Sequence, residues 1–148
     1  MTRLDTRLTV DEPCPECGFK LWEPIAVSPH SRLGLYNDDR FPGRCILVFN
    51  GHKESLLEVV GNPLRDFMED VKTAMKAVQE ATGCARVNMA LLQNREPHLH
   101  AHLIPRFPEA EQFPDCSPWN DPRPKGQLGA AEVARLKERI LAYLTCTP

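Results

Sequence analysis

The stretch "REPHLHAHLIPRF", residues 95–107, sets His98, His100 and His102 at every second position, and these are three of the five histidines in the chain. Extended backbone turns successive side chains to opposite faces, so the three imidazoles share one face while Leu99, Ala101 and Leu103 take the other. Same-face neighbours on a strand stand about 7 Å apart, close enough that three protonated rings would repel one another. Neutral, metal-bound or catalytic histidines avoid that cost.

Three chemistries fit the pattern. The polar face of a half-buried strand could be histidine for packing alone, although three in register argue against it. A His-x-His strand can open a catalytic metal site, yet no acid follows within a few residues, Glu109 being the next. A neutral imidazole is also a good nucleophile at pH 7, provided one ring nitrogen is held as a donor and the other presents its lone pair. A strand carbonyl can hold that donor. Attack on phosphorus would then give a phosphoramidate that water cleaves in a second step, dividing one hard displacement into two easier ones.

A second group of possible ligands lies near the start. "CPEC" spaces Cys14 and Cys17 as a metal knuckle does. Cys45, Cys84, Cys116 and Cys146 have no such spacing and read as plain thiols. Six cysteines could pair in a secreted chain, but the opening "MTRLDTRLTVDEPC" is charged throughout and has no apolar leader, so we expect a reducing, cytoplasmic setting. No stretch approaches membrane-spanning length. With a net charge of -2, 42% apolar and 26% charged residues, the chain has no basic field for a nucleic-acid backbone, and a small-molecule partner is expected.

At 148 residues the chain is long enough to bury one core without disulfides. We expect a single domain over 1–148: an irregular arm over 1–20, a core sheet and helix over 21–107, a proline-rich loop over 108–128 and a closing helix over 129–148. "LWEPIAVS" and "SRLGLYN" read as strands around the turn Ser28, Pro29, His30, and Cys45 to Phe49 as a buried third strand. A long helix follows, with Asn62 as cap, Pro63 in its first turn, apolar Leu64, Phe67, Met68, Val71, Met75 and Val78, and Gly83 as its stop. "RVNMALL" and "PHLHAHLIP" give a fourth and fifth strand around the polar turn Gln93 to Glu96. Six prolines between Pro105 and Pro124 rule out regular structure there, while Phe107, Phe113 and Trp119 suggest that this loop packs down. Val133, Leu136, Ile140 and Leu144 mark a last amphipathic helix over Ala130 to Leu144.

"HLHAHLI", His98 to Ile104, matches the His-φ-His-φ-His-φ-φ signature of the histidine triad (HIT) family without a mismatch, and Pro105 and Arg106 also fit. "FPGRCILVFNGH" resembles that family's turn, strand and histidine. "RVNMALLQNREPHLHAHLIPRF" followed by "SPW" is similar to bacterial members of the diadenosine polyphosphate hydrolase type. The resemblance spans residues 14 to 119. It departs in two places: many members have Gly-His where this chain has Gly43 and Arg44, and many have a longer, Gln-bearing turn where this one has "QNREP".

The resemblance implies an α+β, HIT-like fold with a five-stranded antiparallel sheet, one long helix and a C-terminal helix, and a homodimer. It implies that His100 attacks the α-phosphorus of a nucleotide, while His102 contacts the phosphate and stabilises its developing charge. Asn37, or Asp38 one residue on, corresponds to the position that holds ribose hydroxyls. Asn88 and Asn94 are candidates for binding phosphate or orienting the leaving group, with turn and strand-end chemistry as the plainer reading. Trp119 either closes over the site or belongs to the core. Arg44 either holds a polyphosphate or is a solvated surface charge. The resemblance also assigns one structural zinc to Cys14, Cys17, His52 and His98, a closed site orienting the strand that bears His100; His30, in an expected turn, is the competitor for His52. The implied activity is hydrolysis of a dinucleoside polyphosphate such as diadenosine tetraphosphate through a nucleotidyl-histidine. Transfer to a non-water acceptor, and nucleotide sensing with little turnover, stay open as alternatives.

Overall fold

The computed structural model describes residues 12–146, so the first eleven residues of the expected arm lie outside the described residues. Five strands, β1 (Glu23–Val27), β2 (Ser31–Leu35), β3 (Cys45–Phe49), β4 (Arg86–Ala90) and β5 (His100–Arg106), form one antiparallel sheet in the order β1-β2-β3-β5-β4. The first three make the meander that the turn signals call for. β5 then inserts between β3 and β4, which places the histidine strand in the interior of the sheet.

The pleat sorts the two faces. Leu33, Leu35, Cys45, Leu47, Phe49, Ala101 and Leu103 point to one side and form the core. Two helices cover them, α1 (Asn62–Thr82) with Phe67, Val71, Ala74, Ala77, Val78 and Ala81, and α2 (Ala130–Thr145) with Val133, Leu136, Ile140 and Leu144. Each large apolar side chain so buried contributes about 1.5–3 kcal/mol relative to exposure. His100, His102, Ile104 and Arg106 take the opposite face, which neither helix covers; their register partners there are Val48 and Ile46 on β3 and Ala90, Asn88 and Arg86 on β4. The site is thus built on the side of the sheet away from the core.

The starts of α1 and β5 differ from expectation, and β2 and β4 end two residues early, at Leu35 and Ala90. Gly61, at φ 67, is the N-cap of α1 and makes no side-chain cap bond, so Asn62 is the first helical residue rather than the cap. Sheet pairing begins at His100 and not at Pro97, because the Leu99 N–H donates to the Lys53 carbonyl and the His98 N–H to that of Glu96. At the other end of α1, Gly83 stops the helix in the left-handed conformation expected of a glycine there (φ 67).

The proline-rich loop is pinned at both ends. Arg106, buried, donates to Glu111 (2.8 Å), to Asn88 Oδ1 (2.6 Å) and to the Pro114 carbonyl (3.1 Å), while Glu111 accepts the Phe107 N–H (2.6 Å). Further on, the Asn37 amide and the Leu128 backbone exchange two hydrogen bonds (2.7 and 3.3 Å), and the Gly126 N–H donates to Asp39 (2.8 Å). Between these anchors a short 3-10 turn, Pro118–Asn120, carries Trp119 across the histidine face. Among the described residues no helix is long and apolar enough to cross a membrane.

Candidate active site and metal centre

β5 presents His100 and His102 with ring centroids 5.0 Å apart. The His100 ring turns back on its own strand, its Nδ1 lying 2.6 Å from the His98 carbonyl oxygen. A carbonyl only accepts, so Nδ1 carries the proton and Nε2 keeps its lone pair. His102 is held from the other side: Arg44 Nη2 lies 3.3 Å from its Nδ1. Burial, then the charges of Arg44 and His100, bring His102 down to about 4, so the ring is neutral at pH 7.

Arg44 is not a surface charge, being only 5% exposed. It immediately precedes β3 and shares the histidine face with Ile46 and Val48. Its Nη1 donates to Asp38 (2.9 Å), and Asp38 is itself fully buried and bound by Arg40 through Nε and Nη2 (both 2.9 Å). Burial alone would raise the Asp38 carboxyl, but the bonds and charge of Arg40 and the charge of Arg44 outweigh it and hold it below the usual carboxylate range. Tyr36 stacks on the Arg44 guanidinium at 4.1 Å.

Beside this pair, Cys14, Cys17, His52 and His98 bring one donor atom each within 4.8 Å of one another. Cys14 Sγ lies 3.7 Å from His52 Nδ1, and Cys17 Sγ 3.4 Å from His98 Nδ1. With Zn–S of about 2.3 Å and Zn–N of about 2.0–2.1 Å, a tetrahedral site needs S to N separations of about 3.6 Å. The two observed distances bracket that value. The tautomers fit as well: His98 Nε2–H donates to the Phe49 carbonyl (2.8 Å) and His52 Nε2 faces Glu54 (3.5 Å), which leaves both Nδ1 atoms free to ligate. Burial would raise the Cys14 thiol, yet the Cys17 and Glu16 backbone N–H groups and the His52 ring bring it down to about 7, towards the thiolate a metal takes. Gly18 (φ 77) closes the knuckle by donating its N–H to the Cys14 carbonyl (2.8 Å). His30 is not part of the cluster and pairs with Asp66 (3.2 Å).

No family model matches the chain, and no curated protein matches it. Solved structures do match. A histidine triad (HIT) protein from Sinorhizobium meliloti 1021 is 22% identical, with a TM-score of 0.73 and coverage of 95% of this chain and 96% of that one. A histidine triad protein from Marinobacter aquaeolei VT8 is also 22% identical, with a TM-score of 0.73 and coverage of 97% and 96%. A diadenosine triphosphate hydrolase from Plasmodium falciparum is 12% identical, with a TM-score of 0.58 and coverage of 95% and 87%. This chain has the histidine triad fold.

Within that fold the structure brings some of the expected site residues together and diverts others. Arg44, His100, His102 and Trp119 meet: Trp119, 49% exposed, sets its ring edge-on to His102 at 5.4 Å and lies over the site rather than in the core. Asn37 has its side-chain amide engaged by Leu128, and Asp38 has both oxygens engaged by Arg40 and Arg44. Asp38 therefore braces Arg44 from behind, and Asn37 ties the end of β2 to the loop at Leu128. Asn88 accepts from Arg106 and anchors the loop, while Asn94 is exposed in the turn before β5. Two further residues reach the site without a clear signal in the sequence. Phe19 stacks on His98 (5.5 Å) and His100 (5.2 Å), covering the histidines from the knuckle side. Its only signal is an aromatic directly after "CPECG". Gln93, at φ 51, donates its side-chain amide to the His100 carbonyl (3.1 Å), a contact that the reading of 93–96 as a polar turn passes over.

Proposed function

We propose that the protein is a nucleotide hydrolase of the histidine triad type, in which His100 attacks the α-phosphorus of a dinucleoside polyphosphate such as diadenosine tetraphosphate. The observation that carries this reading is the 2.6 Å bond from His100 Nδ1 to the His98 carbonyl, which fixes the tautomer whose Nε2 is nucleophilic. In the first step the Nε2 lone pair forms the N–P bond as the bond from phosphorus to the bridging oxygen breaks. The leaving nucleotide departs on that oxygen. The ring then carries a positive charge, and its Nδ1–H remains bonded to the carbonyl that held it from the start. Water next forms a P–O bond as the N–P bond breaks, its displaced proton passing to solvent, which releases a nucleoside monophosphate and returns His100 to neutrality. In this reading His102, whose ring lies 5.0 Å from that of His100, binds the phosphoryl oxygens.

Zinc on Cys14, Cys17, His52 and His98 would be structural in this scheme, since all four positions of a tetrahedral ion are filled by protein. Those ligands tie the arm bearing Phe19 to the strand that bears His100. The same reading carries a cytoplasmic homodimer as its setting, tested by sedimentation and cell fractionation. The stack of Phe19 over His100 favours a second reading, a nucleotide sensor with little turnover.

The deciding experiment is chromatography of products from diadenosine tetraphosphate incubated with wild type and with His100→Ala, with zinc quantified in both. Mononucleotide release by wild type alone, at equal zinc content, is the expected result. Tight nucleotide binding with no product from a folded wild type would select the sensor instead.

A further inference from the structure

We infer that Arg44, braced by Asp38, is a positioning residue that fixes His102 in the tautomer with its proton on Nε2. A guanidinium has N–H donors and no acceptor, so a ring nitrogen facing Arg44 Nη2 at 3.3 Å must itself accept. His102 Nδ1 is thereby the bare nitrogen, and the neutral ring carries its proton on Nε2.

The guanidinium has little freedom to turn away. Nη1 is bound to a carboxylate with no exposure, that carboxylate is clamped by Arg40, and the Tyr36 ring lies across the guanidinium at 4.1 Å. Arg44 Nε is buried without a partner among the described residues. Burying an unpaired N–H costs stability, so an apolar side chain would serve the sheet better at this position. The arrangement makes sense through what it does to His102.

His100 and His102, two residues apart on β5, are consequently held in opposite tautomers by opposite means. A backbone carbonyl takes the Nδ1 proton of His100 and leaves Nε2 as a nucleophile. The Arg44 N–H takes the Nδ1 lone pair of His102 and leaves Nε2–H as a donor. Phosphoryl oxygens only accept, so the other tautomer of His102 would turn a lone pair towards them. Arg44 thus decides whether His102 attracts or repels the phosphate. The catalytic consequence rests on the function proposed above; the tautomer itself is a property of the protein without substrate.

The test is nitrogen-15 NMR of imidazole-labelled protein near neutral pH, with the His102 signals identified by their loss in His102→Gln. Wild type is expected to show His102 protonated on Nε2 and His100 on Nδ1. Arg44→Met is expected to move His102 to a mixture or to the Nδ1–H form and leave His100 unchanged. A His102 protonated on Nδ1 in wild type would overturn the inference, and so would a tautomer indifferent to Arg44→Met. Wild type alone decides if that variant fails to fold. With dinucleoside polyphosphate as substrate, Arg44→Met should lower kcat by about 10²–10³-fold with little change in KM, the loss expected when one transition-state donor is removed. Arg44→Lys, whose ammonium still donates, should recover part of it. The tautomer assignment with no turnover by wild type would refute the proposed hydrolase and leave the role of Arg44 standing.

Discussion

Asp38 carries the sharpest stability prediction. Its carboxylate has no solvent exposure, and four donor groups converge on it: the Arg40 N–H (3.2 Å), Arg40 Nε and Nη2 (2.9 Å each) and Arg44 Nη1 (2.9 Å). Asp38→Ala leaves the Arg44 side chain, 7% exposed, as an uncompensated buried cation, while Arg40, at 15%, is better able to reach water. Removing one partner of a buried pair costs about 3–5 kcal/mol. In a domain of this size each kcal/mol is about 2–4 °C in Tm, so the expected fall is about 6–20 °C. Urea unfolding followed by tryptophan fluorescence gives the free energy directly. Glu132→Ala is the internal control, because its pair with Arg135 lies at the surface, with side chains 39% and 53% exposed, where water and salt screen the attraction and little stability is lost with it. The pH dependence has a fixed sign. Asp38 is held below its usual range in the folded protein, so its contribution is present above the unfolded value near 3.8 and is lost as pH falls through the lower folded value. The gap between wild type and Asp38→Ala should therefore be widest at neutral pH and close in acid. A loss at pH 7 no larger than that of Glu132→Ala would refute the reasoning, since Asp38 would then be no more than a surface partner.

Other expectations follow from the remaining contacts. Zinc should copurify in proportion to the chain; chelation or Cys14→Ser should remove it and lower Tm, and metal analysis showing full zinc in Cys14→Ser would exclude that ligand. His102 resists protonation until about 4, whereas the unfolded chain protonates near 6.5, so stability should fall as pH drops across that window. His102→Gln should flatten that part of the curve in equilibrium unfolding, and an unchanged slope would contradict the assignment. Glu111→Ala should strand the buried Arg106 at a cost of about 3–5 kcal/mol and free the proline-rich loop, measured as faster proteolysis between Phe107 and Pro118. Protection equal to wild type would show that Glu111 does not pin the loop.

Local rules make the elements and the triad legible in the amino-acid sequence by itself. Alternation puts His98, His100 and His102 on one face, the period of α2 names all four of its buried residues, and Gly83 stops α1 where a left-handed glycine should. "CPEC" offers two ligands of a candidate metal site by spacing, and the fold brings His52 and His98 to them. The heptapeptide and its surroundings carry the resemblance to the histidine triad proteins, whose fold the structure has. Only the tertiary structure decides what each polar group faces. Arg44 is one arginine among many in the sequence, and its role depends on Asp38 behind it and His102 in front, brought together across β3 and β5. Asn37 and Asn88 read as candidate ligands, but chain segments distant in sequence engage their amides. Phe19 reaches the histidines only because the knuckle folds back on the sheet. Periodicity and turn chemistry are written over a few residues, whereas the partners that set the tautomer of His102 and engage Asn37 lie tens of residues away.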